Sequence, residues 1–427
     1  MFARAAATSA MLSALFLVTY NFTNWLTSLR SDVGTCYFDW ELAIPFVPLM
    51  IVPYMSVDLF FLGAPFLCKE RRELSVLAWR IGLAIIAAGI CFLIWPLNLG
   101  FERPHVEGIL GAIFNPFLEV DRPFNLAPSL HITLRTILAD FYARKTRGVL
   151  RWANHIWFSI IGVSTVLTHQ HHLVDLVSGF ALGVVCFYAV PAQPMRFPVL
   201  RNRRVGVYYA FGALLSLVLA LVTWPWGMLM LWPAVALFIT ATAYWWVGPG
   251  IFRKQAGRLP ISSRLLLGPI VLGQHLSHCY YRRECRAWDE VTPRVWFGRK
   301  LDDTEAARAV QLGVIAVLDL TVESAEAAPF RNVRYQHLPV LDLTAPTLDH
   351  LRDAAQFIAE HSAAGVVYVH CKIGYSRSAA AVGAYLLSSG QARNTDDVLA
   401  ILRRVRPTII VRPEAIEALR DFEKRRS

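Results

Sequence analysis

Eight apolar runs long enough to cross a bilayer occupy the first part of this 427-residue chain, near residues 8–27, 42–63, 74–97, 128–143, 153–170, 172–191, 205–223 and 226–247. In hydrocarbon every backbone N–H and C=O needs an internal partner, so such runs are confined to helices. The fourth run is short and carries Arg135. A mean hydropathy of +0.42, with 55% hydrophobic against 17% charged residues, excludes a wholly soluble protein. Basic residues cluster after every second run: Lys69, Arg71 and Arg72; Arg144, Lys145, Arg147 and Arg151; Arg196, Arg201, Arg203 and Arg204; and Arg253, Lys254 and Arg258. The intervening loop 99–126 instead carries Glu102, Glu107, Glu119 and Asp121. By the positive-inside rule all four clusters, and both termini, face the cytoplasm. The net charge of +11 thus suits anionic headgroups and not nucleic acid. The first run lacks a small-residue cleavage site before Asn21 and reads as a retained anchor. The seven cysteines are scattered, several within apolar runs, and imply no disulfide framework.

Composition divides the chain into a multi-pass membrane domain (1–247), an amphipathic linker (248–287) and a compact α/β domain (288–427). Leu265 to Leu276 is apolar with basic flanks and suits the membrane surface. His275, His278, Cys279 and Cys285 match no standard zinc spacing, and no metal or other cofactor is expected. Beyond Trp288, strand-like and helix-like runs alternate, which implies a largely parallel sheet with its ligand at the strand C-terminal ends. There stands Val369-His370-Cys371-Lys372-Ile373-Gly374-Tyr375-Ser376-Arg377-Ser378, an apolar run, a tight loop and a helix start. Backbone N–H groups of Ile373, Gly374, Tyr375 and Ser376 can converge on an anion there, assisted by the helix dipole. A cysteine so placed is a thiolate nucleophile with a lowered pKa, and Arg377 can grip two phosphate oxygens.

These residues resemble the signature loop of the cysteine-dependent tyrosine and dual-specificity phosphatases. The resemblance covers the whole α/β segment. It implies that Ser378 helps the thiolate leave and that an upstream aspartate protonates the leaving group. Asp342 fits that place, with Asp349 as second choice. Lys372, directly after the nucleophile, resembles the branch acting on strongly anionic lipids, including phosphatidylglycerophosphate phosphatases; Tyr375 departs from that branch, which has a second basic residue there. Arg403 to Pro413 resembles the family's late loop near the site, and reads equally as a solvated turn.

A second constellation falls on the outer face. Pro128-Ser129-Leu130-His131 opens the fourth run, with Ser129 placed to cap a helix, and His171 precedes Asp175 by four residues. A carboxylate on that helix face orients the imidazole as nucleophile or base. These elements resemble the type 2 phosphatidic acid phosphatase superfamily, nearest its sphingomyelin and inositol-phosphorylceramide synthase branch. The resemblance implies His171 as nucleophile, Asp175 as its orienting partner and His131 as the acid. The chain departs from that family at Thr165, where the family has an arginine, and lacks its early lysine motif; Arg122 or Arg135 is the candidate for the missing charge.

The expected protein is a bifunctional enzyme of the plasma membrane of a bacterium. A cytoplasmic cysteine site would cleave a phosphomonoester, and an outward histidine site would hydrolyse or transfer a lipid phosphate. Its partners would be anionic membrane lipids. The alternative is a membrane-anchored phosphatase of phosphoproteins whose membrane half is inert.

Overall fold

A computed structural model describes residues 1–120, 122–193, 197–198, 201–224 and 226–426. Asp121, Arg196 and the side chain of Glu119, which entered the topology argument, lie outside the described residues. The chain forms two compact units, Met1–Pro194 and Met195–Ser427.

The first unit is helical, with α1 (Phe2–Ser28), α2 (Ile51–Gly63), α3 (Arg71–Ile94), α4 (Gly108–Val120), α5 (Leu130–Lys145), α6 (Gly148–Leu167) and α7 (Leu173–Ala189). Its core joins Ile81, Ile85, Ala88 and Phe92 of α3 to Leu134, Ile137, Leu138 and Phe141 of α5. Those positions recur every three or four residues and so share one helix face. On the opposite face of α3, Ile86, Ile90 and Ile94 stay exposed, which suits a lipid contact and not water. Ser129 caps α5 as expected, its hydroxyl accepting from Ile132 N at 3.2 Å.

Five segments are long and apolar enough to cross a membrane: Phe2–Ser28, Pro48–Leu67, Arg71–Ile94, Arg203–Val222 and Trp226–Phe252. The other three expected runs are also helical. However, α5 has 16 residues including Arg135, Asp140, Arg144 and Lys145, and α7 has 17. α6 reaches 20 residues but carries Arg151, Asn154 and His155. Five of the eight expected runs therefore meet both conditions among the described residues.

The second unit starts with α8 (Arg203–Val222) and α9 (Leu231–Thr242), which pack on each other, then α10 (Ile261–Leu266) and α11 (Gly268–Arg282). Strands β1 (Trp288–Thr292), β2 (Val295–Arg299), β3 (Val314–Asp319), β4 (Arg334–His337) and β5 (Val366–Cys371) form one sheet, ordered β1-β2-β5-β3-β4. Only β1 runs antiparallel. Helices α12 (Asp303–Gln311), α13 (Leu348–Ser362), α14 (Ser376–Ser388), α15 (Thr395–Val405) and α16 (Pro413–Arg426) complete it. Both sheet faces are covered, and alternate residues serve them. Val295, Phe297, Val367 and Val369 join the core with α13 to α16, while Trp296, Val366 and Tyr368 face the α12 side. β5, central in the sheet, delivers Cys371 at its C-terminal end.

The last two spans thus belong to the same unit as the sheet. Asn202, the cap of α8, donates its Nδ2 to Leu343 O at 2.8 Å, and the Tyr244 hydroxyl donates to Asp342 O at 2.9 Å. Just past the last span, Lys254 is buried in the sheet domain. Its ammonium pairs with Asp319 and donates to Thr321 O at 3.0 Å and Thr321 Oγ1 at 2.8 Å. Burial opposes ionisation of Asp319, yet Lys254 and His370 outweigh it and hold the carboxyl well below the usual range. A carboxylate lowered in the fold stabilises it above the unfolded pKa of about 3.9, and that contribution is lost as pH falls through the folded value. Lys254→Met leaves this buried charge short of its partner. It should cost about 3 kcal/mol at neutral pH, read as a lower thermal midpoint in detergent, with the deficit shrinking as pH falls.

Candidate active site

The loop after β5 is tight because Gly374 adopts φ +74°, and an added Cβ there would lie 2.3 Å from Arg406 Nη1 and 2.4 Å from the Gly298 carbonyl carbon. Only glycine fits both demands. Arg406, itself buried, donates to Gly374 O at 3.0 Å and Ile373 O at 3.3 Å, and its Nε pairs with Asp289 Oδ2 at 2.6 Å. The carbonyls of the loop are thereby turned outward onto Arg406, which leaves its N–H groups for the centre. The 403–413 segment is therefore a buttress of the loop through Arg406, where a solvated turn was an equal reading. Arg412 N also donates to Ser376 Oγ at 3.1 Å.

Cys371 is buried at the loop's start, with Sγ 3.4 Å from Ser378 Oγ. Burial raises the thiol pKa, but the Arg377 charge, the Ser378 hydroxyl and the backbone N–H groups of Ser378 and Tyr375 outweigh it, leaving the value below that of an ordinary cysteine. Arg377 is held in a fork by Glu323, with Nη2 to Oε1 at 2.8 Å and Nη1 to Oε2 at 3.3 Å, and donates to Val340 O at 2.8 Å. Glu323 and Asp289 escape sequence reading altogether, and of Arg406 only the stretch that holds it, 403–413, is legible. Each acts from a distant segment, and no local spacing marks it.

Asp342 stands at the same centre. Its Oδ2 accepts from Lys372 Nζ at 2.7 Å and its Oδ1 from Arg377 Nη2 at 3.2 Å. Burial favours the neutral acid, yet Arg377 and Lys372 hold the group below the ordinary carboxylate range. Asp349 instead sits in the first turn of α13, exposed, and pairs with Arg352. Lys372 Nζ also reaches Gln274 Oε1 at 2.8 Å and Ser277 Oγ at 3.4 Å. Tyr375 accepts from Cys285 Sγ at 3.1 Å through its hydroxyl.

The four linker residues with metal-binding side chains go to different partners. Cys285 meets Tyr375, His275 and Cys279 lie 3.6 Å apart, and His278 Nδ1 contacts Lys372 O at 3.2 Å. Burial, with Lys300 nearby, pushes the His278 pKa down to about 4, so the ring is neutral at pH 7, and because a carbonyl only accepts, Nδ1 is the nitrogen that carries the proton. Among the described residues, Asp319, Glu326 and His370 are spaced as metal ligands could be. Lys254 already neutralises Asp319, and His370 Nε2 pairs with Glu326 at 2.7 Å.

Removing the fork on Arg377 should be costly. Glu323→Gln keeps the volume but loses the charge partner, and kcat/KM for p-nitrophenyl phosphate is expected to fall roughly tenfold, the equivalent of one charge-assisted hydrogen bond.

In the first unit, Ser129 N donates to Asp175 O at 3.1 Å, which brings the two histidine motifs together. His171 lies before α7 and not on its face, and its Nδ1 is 3.4 Å from Asp175 Oδ2 without a hydrogen bond. The two side chains thus meet at the start of the helix and not along one of its faces, and Asp175 Oδ2 also accepts from His172 N at 2.8 Å. His131 stacks on Tyr54 with ring centroids 4.2 Å apart. Arg122 is exposed and donates to Ser28 Oγ at 2.7 Å, and Arg135 donates to Phe158 O, so both are engaged elsewhere. His172 pairs with buried Glu41 at 3.3 Å.

Residues 295–425 match the family model described as dual specificity phosphatase, catalytic domain. The chain is 38% identical over 97 residues to the Mus musculus phosphatidylglycerophosphatase and protein-tyrosine phosphatase 1, covering 22% of this chain and 49% of that protein. It is 26% identical over 189 residues to the Arabidopsis thaliana phosphatidylglycerophosphate phosphatase PTPMT2, covering 42% of this chain and 82% of that protein. The chain thus spans about half the length of the mouse relative. Among solved structures, PTPMT1 in complex with PI(5)P is similar at 26% identity over 33% of this chain and 97% of that one, with a TM-score of 0.31. The second unit of this chain therefore carries a catalytic domain of the dual specificity phosphatase family, near its phosphatidylglycerophosphate phosphatase branch.

Proposed function

We propose that the second unit hydrolyses a phosphomonoester on the headgroup of a membrane lipid, from the cytoplasmic face of a plasma membrane. The observation that carries this reading is Lys372, a second cation directly beside Cys371 and Arg377, in a unit that also holds two apolar spans. The relatives named for phosphatidylglycerophosphate support a strongly anionic lipid phosphate. In the first step the Cys371 thiolate attacks phosphorus and the bond to the lipid alcohol breaks. Asp342 gives its proton to that alcohol. In the second, water attacks the phosphocysteine, Asp342 takes a proton from it, and Ser378 donates to the departing thiolate. Arg377 and the N–H groups of Ile373, Gly374, Tyr375 and Ser376 carry the phosphoryl oxygens throughout.

In the resting site Asp342 is an anion on Arg377 and Lys372. A bound phosphate dianion takes both cations and adds like charge beside the carboxyl, so Asp342 gains a proton on substrate binding. The test is phosphate release by the full chain in phosphatidylcholine vesicles carrying phosphatidylglycerophosphate, against soluble phosphotyrosine peptides. Preference for the lipid supports the reading. Preference for the peptides makes this a membrane-anchored protein phosphatase.

A second reading, of a histidine-dependent lipid phosphate hydrolase or transferase, rests on one observation. His131 Nε2, His171 Nδ1 and Asp175 Oδ1 are buried with no hydrogen-bond partner, close to the junction of the two histidine motifs. Buried polar atoms left open in a helical bundle suit a polar ligand. If His171→Ala changes no lipid turnover in vesicles that the Cys371→Ser variant still processes, this second activity is ruled out.

A further inference from the structure

The catalytic cavity is larger than a phosphate requires. Its volume is about 560 Å³, and Cys371, Lys372 and Arg377 line it together with a wall contributed from outside the phosphatase segment 295–425: Tyr209 of α8, Leu237 of α9, and Gln274 and Ser277 of α11.

We propose that α8, α9 and α11 build a leaving-alcohol subsite on this cavity, which takes the polar, chain-bearing alcohol of a phosphorylated lipid. The inference rests on the lipid reading above and says where that lipid's other half is held. The polar part of the wall is neutral and hydrogen-bonding. Gln274 engages both Lys372 Nζ and the Tyr209 hydroxyl, and Ser277 Oγ lies 3.4 Å from the same ammonium. With the Asp342 carboxylate on the same ammonium, these neutral donors and acceptors suit hydroxyls and at most a single phosphodiester charge. The apolar part, Leu237, Pro269 and Ile270, leads from there to a helix within the span Trp226–Phe252. A soluble phosphopeptide has no need of that continuity, whereas a lipid can keep its chains beside the spans while its headgroup reaches Cys371. The acid is pinned to the same helices, since Tyr244 and Asn202 hold the backbone of Asp342 and Leu343. The group that protonates the alcohol and the surface that holds it are therefore fixed to one another.

Gly273 offers a clean test. It lines the cavity on α11, and a Cβ added there meets nothing within 4 Å. Gly273→Trp therefore adds bulk to the lining of the cavity from a position whose Cβ meets no neighbour. The full chain in phosphatidylcholine vesicles is assayed on phosphatidylglycerophosphate and on p-nitrophenyl phosphate, and the ratio of the two kcat/KM values is read. The ratio should fall at least tenfold for Gly273→Trp and several-fold for Gln274→Ala. An unchanged ratio in both variants, or equal losses on both substrates, overturns the subsite. A wild-type enzyme that cleaves the aryl phosphate and ignores the lipid overturns the lipid reading itself, which is a different failure.

Discussion

Cys371→Ser is expected to stop phosphate release from lipid and aryl phosphates alike, lowering kcat/KM by roughly 10⁴-fold or more. The substitution is nearly isosteric, so the loop, the Arg377 fork and phosphate binding should survive. What disappears is the thiolate. Arg377, the Ser378 hydroxyl and the loop N–H groups lower the Cys371 pKa against the opposing effect of burial, but the same surroundings cannot ionise a serine hydroxyl near neutral pH. Product binding, measured with inorganic phosphate, should stay within a few-fold of wild type. A loss of binding equal to the loss of turnover would assign Cys371 to structure and not to attack.

Asp342→Asn is expected to act differently on different substrates. A lipid alkoxide is a poor leaving group and needs its proton, so turnover of the lipid should fall by roughly 10²–10⁴-fold, the usual range for general acid catalysis. p-Nitrophenolate leaves without a proton, and its release in the first step should fall far less. The sign of the pH effect follows from the site's charges. Asp342 is held below the ordinary carboxylate range by Arg377 and Lys372, after burial has pushed the other way, so the free enzyme carries it ionised at neutral pH. Substrate must restore the proton, and lipid turnover should therefore decline as pH rises through the value Asp342 takes with substrate bound, while Cys371 remains a thiolate. In Asp342→Asn that decline should vanish. A decline that persists in the variant would place the acid elsewhere, and Asp349, exposed on α13 and paired with Arg352, is a poor substitute.

Much of this was legible in the sequence because it is local. Cys371 to Ser378 carries its chemistry in consecutive residues, and the strand before it and the helix after it follow from apolar periodicity. Ser129 as a cap is equally local. The parts that escaped are those set by contacts between distant segments. Glu323 grips Arg377 from 54 positions away, and Arg406 reaches the loop carbonyls from 32 and 33 positions away. β1 (Trp288–Thr292) is a short edge strand without a clear apolar alternation, and it forms only by pairing with β2. At the histidine motifs the four-residue spacing of His171 and Asp175 was read as a helical pair. The helix begins at Leu173, so the two meet at its start, where Asp175 Oδ2 also accepts from His172 N. Composition also hid the role of the last two spans. They read as more membrane domain, yet they belong with the sheet and hold the loop of Asp342.

The most direct test of the central claim is rapid-quench mass spectrometry of the full chain, as the Ser378→Ala variant, mixed with vesicles carrying phosphatidylglycerophosphate. Weakening the step that releases the thiolate should let the intermediate accumulate. A phosphoryl group on Cys371 that forms from the lipid before inorganic phosphate appears is the predicted result. Phosphate released from the lipid with no label ever on Cys371, or a Cys371 label formed only from phosphopeptides, would contradict the account.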